Sequence, residues 1–330
     1  MAAMNVGGAV TPALSHTGRV LFRPFALRKW LALGFVSLVA GFAEGGGGHF
    51  NVPSGDSSGS DQNWEAVGAW IVAHLALIIA GAILLFLVGL AFQWLGSVMK
   101  FVYMNQVTRD PYAIREPFRR FIPQGTSFFL WNLAFGLVML LTLGILVGIP
   151  IALIFAMELT HNVAAIVVVA VWCLLILLAT ITVAAVIDIF ARDFVSTAMF
   201  VRRVGVMAGW RMILPLLGEN KGQSALYVLM LIAISLAMGI GALFAVLAVG
   251  LVFAVVGGLF ALIGYGIYVA GGHTWSAMLI SYAVVIGTLL LLTFSYALTC
   301  AVQPLEVFRR VFSLVVVGQA EPSLATIPSE

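Results

Sequence analysis

Charge is what this chain has least of. Aspartate, glutamate, lysine and arginine make up 9% of its 330 residues, against about 25% in ordinary soluble domains. Hydrophobic residues reach 62%, so most of the surface must face lipid or other helices, and a soluble fold is excluded. Residues 126–157 and 222–305 carry no charge at all. Ion-coupled transporters keep a titrating or pairing group within the bilayer despite its cost, and this chain has almost none to offer. Cysteine is nearly absent too: Cys173 and Cys300 each sit in an apolar run without a partner at metal-ligand spacing, which argues against a disulfide framework or a zinc site and leaves them as packing residues. No Ser/His/Asp order, Cys/His couple or pair of intramembrane acids emerges, so a non-enzymatic role is expected. The glycine run at 45–48 lacks the Gly-Lys-Ser/Thr that a phosphate loop needs. No cofactor is implied.

What charge there is carries order. All 16 lysines and arginines fall in five patches: Arg19, Arg23, Arg28 and Lys29; Lys100 to Arg120; Arg192 to Arg211; Lys221; and Arg309 with Arg310. Three turns between them, at 44–65, 158–163 and 271–275, hold no basic residue. Basic residues near membrane ends are retained on the cytoplasmic side. The expectation is a bacterial inner-membrane protein with both termini cytoplasmic and these turns outside. The net charge of +3 and the pI near 9.0 then describe an inner face drawn to anionic headgroups. Nucleic-acid binding would need a basic face on a soluble domain.

The pattern predicts an all-α polytopic transmembrane bundle of about six spans, with seven as the alternative. Residues 1–24 form a cytoplasmic N-terminus. A first short crossing follows over 25–43, with Arg28 and Lys29 snorkelling to the inner interface; it resembles a signal sequence, but its basic region starts late and retention is expected. Residues 44–63 read as a flexible external Gly/Ser loop. A long helix over 67–106 must tilt or project into the cytoplasm. Residues 107–125 and 189–221 read as basic, aromatic, Pro- or Gly-punctuated elbows at the inner interface. The 51 uncharged residues 222–272 suit one crossing plus a broken or re-entrant remainder, since two crossings would put Arg309 and Arg310 outside. A disordered tail is expected over 319–330.

Two stretches share a layout. Pro117-Phe118-Arg119-Arg120 followed by Gln124-Gly125-Thr126-Ser127 parallels Gly209-Trp210-Arg211-Met212 followed by Lys221-Gly222-Gln223-Ser224. This suggests a parallel internal repeat, with a partial third copy at residues 304–310. Together with Phe22-Arg23-Pro24-Phe25, Lys29-Trp30, Gly34-Phe35 and the Gly-rich loop, the elbow over 101–131 resembles an uncharacterised bacterial family of polytopic membrane proteins. The layout is also similar to the membrane domain of some glycerophosphodiester phosphodiesterases. The soluble catalytic domain of those enzymes has no counterpart here, and the resemblance implies no functional residues.

The candidate site residues are therefore few. Arg115, Arg119, Arg120, Arg202, Arg203 and Arg211 are placed to meet anionic headgroups on the inner face. Asp188 and Arg192, four apart, suit an ion pair anchoring an inner helix end, with Asp193 beside them. His49, His161 and His273 each fall in a different external turn, His74 lies about two turns inside the outer face, and Glu158 precedes His161 by three. Those ligand types would suit a divalent metal if the loops converged, although exposed loop histidines are the simpler reading. Small residues recur every four positions at Ala233, Ala237, Gly241 and Ala245 and at Gly250, Ala254 and Gly258, the geometry of close helix packing within the chain or against another. Trp64, Trp70, Trp94, Trp131, Trp210 and Trp275 are placed as interfacial anchors. The functional expectation is a structural or accessory subunit or scaffold that contacts membrane lipids, other membrane proteins or itself. A passive channel or transporter for a neutral or lipid-like substrate is the alternative; it needs a continuous cavity lined by Asn132, Gln93 and hydroxyl side chains.

Overall fold

A computed structural model describes residues 5–44, 72–156, 162–272 and 276–327. Among these the secondary structure is helical, with no strand. In chain order the α-helices are α1 (Val10–Phe22), α2 (Leu27–Gly41), α3 (Leu75–Thr108), α4 (Arg115–Ala156), α5 (Val163–Phe190), α6 (Ser196–Arg202), α7 (Val206–Glu219), α8 (Lys221–Ala270), α9 (Ala277–Ala301) and α10 (Gln303–Ala320). A π-helical segment, Ala191–Val195, joins α5 to α6. Helices α3, α4, α5 with its continuation, α8 and α9 are long and apolar enough to cross a membrane, which marks a membrane protein. The most apolar stretches of the first four contain no buried residue.

The long helices stand in a row, each packed on the next in the order α5, α4, α3, α2, α9, α8. Their ends are gathered at one side by a layer built from α1, α6, α7, α10 and the π segment, and the hydrophobic core lies in this basal layer. Its helices are amphipathic in the ordinary sense: α1 buries Ala13, Thr17 and Leu21 at intervals of four, and α10 buries Val307, Val311 and Leu314. Burying each valine or leucine contributes about 1.5–3 kcal/mol. The last turns of α3, residues 96–107, are buried on every side, so this helix does project beyond its apolar part and serves as the axis of the layer.

Local chemistry explains the junctions. Lys29 does not snorkel: its ammonium donates to the carbonyls of Val20 (2.8 Å), in the last turn of α1, and of Pro24 (3.0 Å), just beyond it, and the Trp30 indole donates to Leu21 (3.3 Å), so that Val20 and Leu21 at the open C-terminal end of α1 are satisfied. Arg203, the one described non-glycine residue with positive φ (56°), turns the chain from α6 into α7. The corner is held from outside: Gln124 Nε2 donates to the Arg203 carbonyl (3.2 Å), and the Val206 amide donates to Ser127 Oγ (3.0 Å).

Several expectations change. The first apolar run forms a helix of only 15 residues, about 22 Å long and short of the roughly 20 residues a crossing takes. The span over 222–272 is neither broken nor re-entrant, because α8 is one helix of 50 residues, about 75 Å long. The elbow at 107–125 shrinks to a turn at 109–114: Pro117 sits in the first turn of α4, where proline is tolerated, and Pro123 lies inside the same helix. The second elbow instead breaks twice, at residues 203–205 between α6 and α7 and at Asn220 between α7 and α8, so the two supposed repeat units differ locally. The tail is packed rather than loose up to residue 327: a 3₁₀ turn at Pro322–Leu324 folds back, and Leu324 and Ile327 are buried. The loop over 45–63 lies outside the described residues.

Candidate functional site

Where the row of helices meets the basal layer, a cavity of about 720 Å³ opens between α2, α8, α9, α10 and the base of α3. Its two ends differ in chemistry. Toward the base it is lined by Lys100, Arg192, Asp193, Glu306, Arg309 and Arg310; further up α8 and α9 the wall is apolar, with Val246, Leu291, Leu292 and Leu298. Hydroxyls of Ser37, Tyr103, Ser295 and Thr299 lie on the lining as well.

Each charged side chain reaches the site through a specific device. Arg192 and Asp193 sit on the π segment, whose wider turn carries both residues onto the cavity wall; such turns recur at functional positions. The Asp193 carboxylate is buried. It accepts a hydrogen bond from the Tyr227 hydroxyl at 3.0 Å and pairs with Arg310 Nη1 at 3.9 Å. Arg310 Nη1 also donates to the Arg192 carbonyl at 3.0 Å, tying α10 to the π segment. Tyr227 is fixed by stacking on Phe312 (centroids 5.8 Å apart) and by the edge of Phe194 (4.8 Å). Lys100 is almost fully buried, with its ammonium 4.4 Å from the Phe128 ring centroid. Tyr103 donates to Gln303 Oε1 at 3.2 Å, across the start of α10.

The residues singled out in the sequence fall elsewhere, apart from the neighbours Arg192 and Asp193. Arg192 Nε lies 2.8 Å from an Asp188 carboxylate oxygen, and Arg192 then reaches the cavity. Arg115, Arg119, Arg202, Arg203 and Arg211 are exposed around the basal layer, and Arg120 is half-buried, 3.7 Å from Glu116. His49, Glu158, His161 and His273 lie outside the described residues; His74 is exposed at the start of α3. Among the described residues no group of His, Cys, Asp and Glu could hold a metal. Neither Asn132 nor Gln93 lines the cavity. Three of the tryptophans turn inward: Trp94 Nε1 donates to Thr126 Oγ1 (3.0 Å), and the Trp131 and Trp210 rings meet at 5.7 Å; Trp64, Trp70 and Trp275 lie outside the described residues. Of the small-residue stripe on α8, a side chain at Gly241 would meet Leu305 at 2.9 Å, whereas Gly250 and Gly258 face open space.

Reasoning along the sequence did not find the cavity, because its charged lining comes from positions 100 to 310 on three separate elements. The available signal was Glu306, Arg309 and Arg310 at the end of an uncharged stretch, which read as topology alone.

The family model of a family of unknown function, DUF7544, matches residues 4–327, and the chain belongs to that family. No curated protein and no solved structure matches. The resemblance to an uncharacterised family thus holds at that level, while nothing supports the likeness to the membrane domain of glycerophosphodiester phosphodiesterases.

Proposed function

We propose that this is a non-enzymatic integral membrane protein that organises lipids, acting as a scaffold or accessory subunit, with its basal layer against the cytoplasmic headgroups of a bacterial plasma membrane. The observation that carries this reading is the separation of packing from span. Burial is concentrated in a basal layer ringed by exposed arginines, while the long helices leave their most apolar stretches uncovered within the chain. Surface of that kind is covered by lipid or by partner helices, and the open glycines of α8 suit either. Each arginine near an anionic surface contributes about 1 kcal/mol. The packing of α1 against α10 puts both chain ends on one side. Five helices are long and apolar enough to cross; the six crossings and cytoplasmic termini of this proposal require one passage more, which the 15 residues of α2 alone are too few to make.

The reading is tested in nanodiscs of mixed phosphatidylglycerol and phosphatidylcholine. Lipid retained after extraction should be enriched in the anionic component, and glutamine at Arg115, Arg119, Arg202, Arg203 and Arg211 together should return it to the bulk ratio. Enrichment that survives all five changes removes the proposal. Orientation is tested separately, in a background with Cys173→Ala and Cys300→Ala. A cell-impermeant maleimide should label Gly271→Cys on intact cells and Ser15→Cys only after permeabilisation; the opposite pattern would invert the topology.

The cavity favours a second reading, passive carriage of a lipid-like molecule. Accelerated flip of a fluorescent lipid in proteoliposomes would support it over a purely structural role.

A further inference from the structure

We infer that the cavity is a binding site for one neutral glycerolipid of the diacylglycerol kind, with its glycerol hydroxyl at the level of Ser37, Ser295 and Thr299 and its acyl chains along α8 and α9. The inference rests on the second reading above, in which the cavity takes a lipid-like molecule, and does not involve the exposed arginines.

The apolar half of the occupant follows from the wall. Leu291, Ser295 and Thr299 stand one turn apart on one face of α9, and all three line the cavity. Within about 12 Å that face passes from the charged base to hydrocarbon. At its far end Leu291, Leu292 and Val246 are exposed, on helices long and apolar enough to cross a membrane. Chains seated there are continuous with the surrounding lipid, and the cavity is entered from the bilayer without crossing a polar surface. Its volume of about 720 Å³ falls within the roughly 300–1,000 Å³ typical of ligand sites.

The polar half follows from the hydroxyls. Helices α2 and α9 are pressed together where a side chain at Gly34 would strike the Cys300 sulfur. Ser37 lies one turn along α2 from that contact, and Thr299 and Ser295 lie within about a turn and a half of it along α9, so the three hydroxyls are gathered beside one helix contact. Thr299 Oγ1 donates to the Ser295 carbonyl at 2.8 Å and keeps its capacity to accept. The half-buried Ser37 and Ser295 hydroxyls make no hydrogen bond among the described residues, although serine on an apolar helix can return its proton to the carbonyl one turn back. Each can donate to an ester oxygen and accept from a glycerol hydroxyl.

The charged residues of the base argue for a head without charge, because they are engaged with the protein itself. Arg192 pairs with Asp188 at 2.8 Å, Arg310 reaches Asp193 and the Arg192 carbonyl, Asp193 accepts from Tyr227, and Lys100 lies against the Phe128 ring. A phosphodiester would have to draw a cation out of these contacts, and breaking a buried pair leaves its other member uncompensated. A neutral glycerol head disturbs none of them. A plain hydrocarbon would leave the two serines uncovered.

The test uses the full-length protein purified in mild detergent. Thermal-shift titration compares a diacylglycerol, phosphatidylglycerol and phosphatidylcholine with the same chains, and hexadecane, each at matched mole fraction in the micelle; native mass spectrometry counts bound copies. Expected are one diacylglycerol per chain, a shift at a lower mole fraction than either phospholipid needs, and no shift with hexadecane. The double variant Ser37→Ala/Ser295→Ala should weaken diacylglycerol binding by about five- to tenfold without altering any charge. Val246→Trp should weaken it by filling the chain slot and leaves both hydroxyls in place. Hexadecane matching the diacylglycerol, or unchanged binding in both variants, overturns the proposal. So does a phospholipid that matches or exceeds the diacylglycerol, which would leave the cavity a lipid site and sink the neutral class alone. No response to any lipid sinks this proposal and the second reading together.

Discussion

Asp193→Ala should lower the stability of the folded protein by about 3–5 kcal/mol, the cost of removing one partner from a buried ion pair. The carboxylate is 4% exposed and its partner Arg310 10%, so water does little to compensate either group. The loss also strips the Tyr227 hydroxyl of its acceptor and loosens α10 from the π segment, through which the basal layer is joined to α5. Unfolding followed by near-ultraviolet circular dichroism in detergent measures it, with two companions that grade the explanation. Tyr227→Phe removes only the hydroxyl and should cost about 1 kcal/mol. Glu116→Gln breaks a pair whose acid is 76% exposed and should leave the midpoint unchanged within error. If Asp193→Ala behaved like Glu116→Gln, the buried cluster would not be holding the layer together.

The second large effect is steric. Gly125 on α4 lies so close to α3 that a Cβ there would fall 2.6 Å from the Val98 Cα and 2.9 Å from its nitrogen. Those are backbone atoms of a helix buried on all sides, and they cannot give way as a flexible side chain can. Gly125→Leu should therefore cost about 3 kcal/mol or more, or prevent accumulation of the protein. Gly136→Ala, eleven residues on in the same helix and facing open space, should be neutral or stabilising by up to about 1 kcal/mol, because alanine is the better helix former. The contrast in detergent melting midpoint separates close approach of α3 and α4 from a general intolerance of change in α4.

The long helices could be read from the sequence because lipid imposes a simple rule: apolar stretches without charge must satisfy their backbone internally. That rule also explains one misreading. The need to keep Arg309 and Arg310 inside made residues 222–272 look broken or re-entrant, yet an apolar backbone in lipid has no water to turn to, and α8 runs unbroken through Gly239, Gly250 and Gly258. The pairing distance of Asp188 and Arg192 was legible because it depends only on helical spacing. The basal layer was not, since it depends on which faces of short helices meet. Ser97, Lys100, Asn105 and Gln106 look like the soluble end of a span and are in fact its most enclosed part. Nor could the packing of the first short helix be read from composition: near its end Gly96 approaches Val39 and Ala43 so closely that their backbone atoms lie within 2.8 Å of where a Cβ would stand.

The joining of the first helices to the last carries a consequence for biosynthesis. Tyr296 donates to the Leu31 carbonyl, Cys300 to that of Trp30, and α1 packs on α10. The partners are 265 and 270 residues apart, and a ribosome adding about 5–20 residues per second needs on the order of 15–50 seconds to make the later one. For that interval α1 and α2 exist without the surfaces that bury them, and the basal core cannot close. Maturation of the whole layer thus waits on release of the final segment, and chains that stop before it would present the quality-control machinery with a row of inserted helices and an unfinished base.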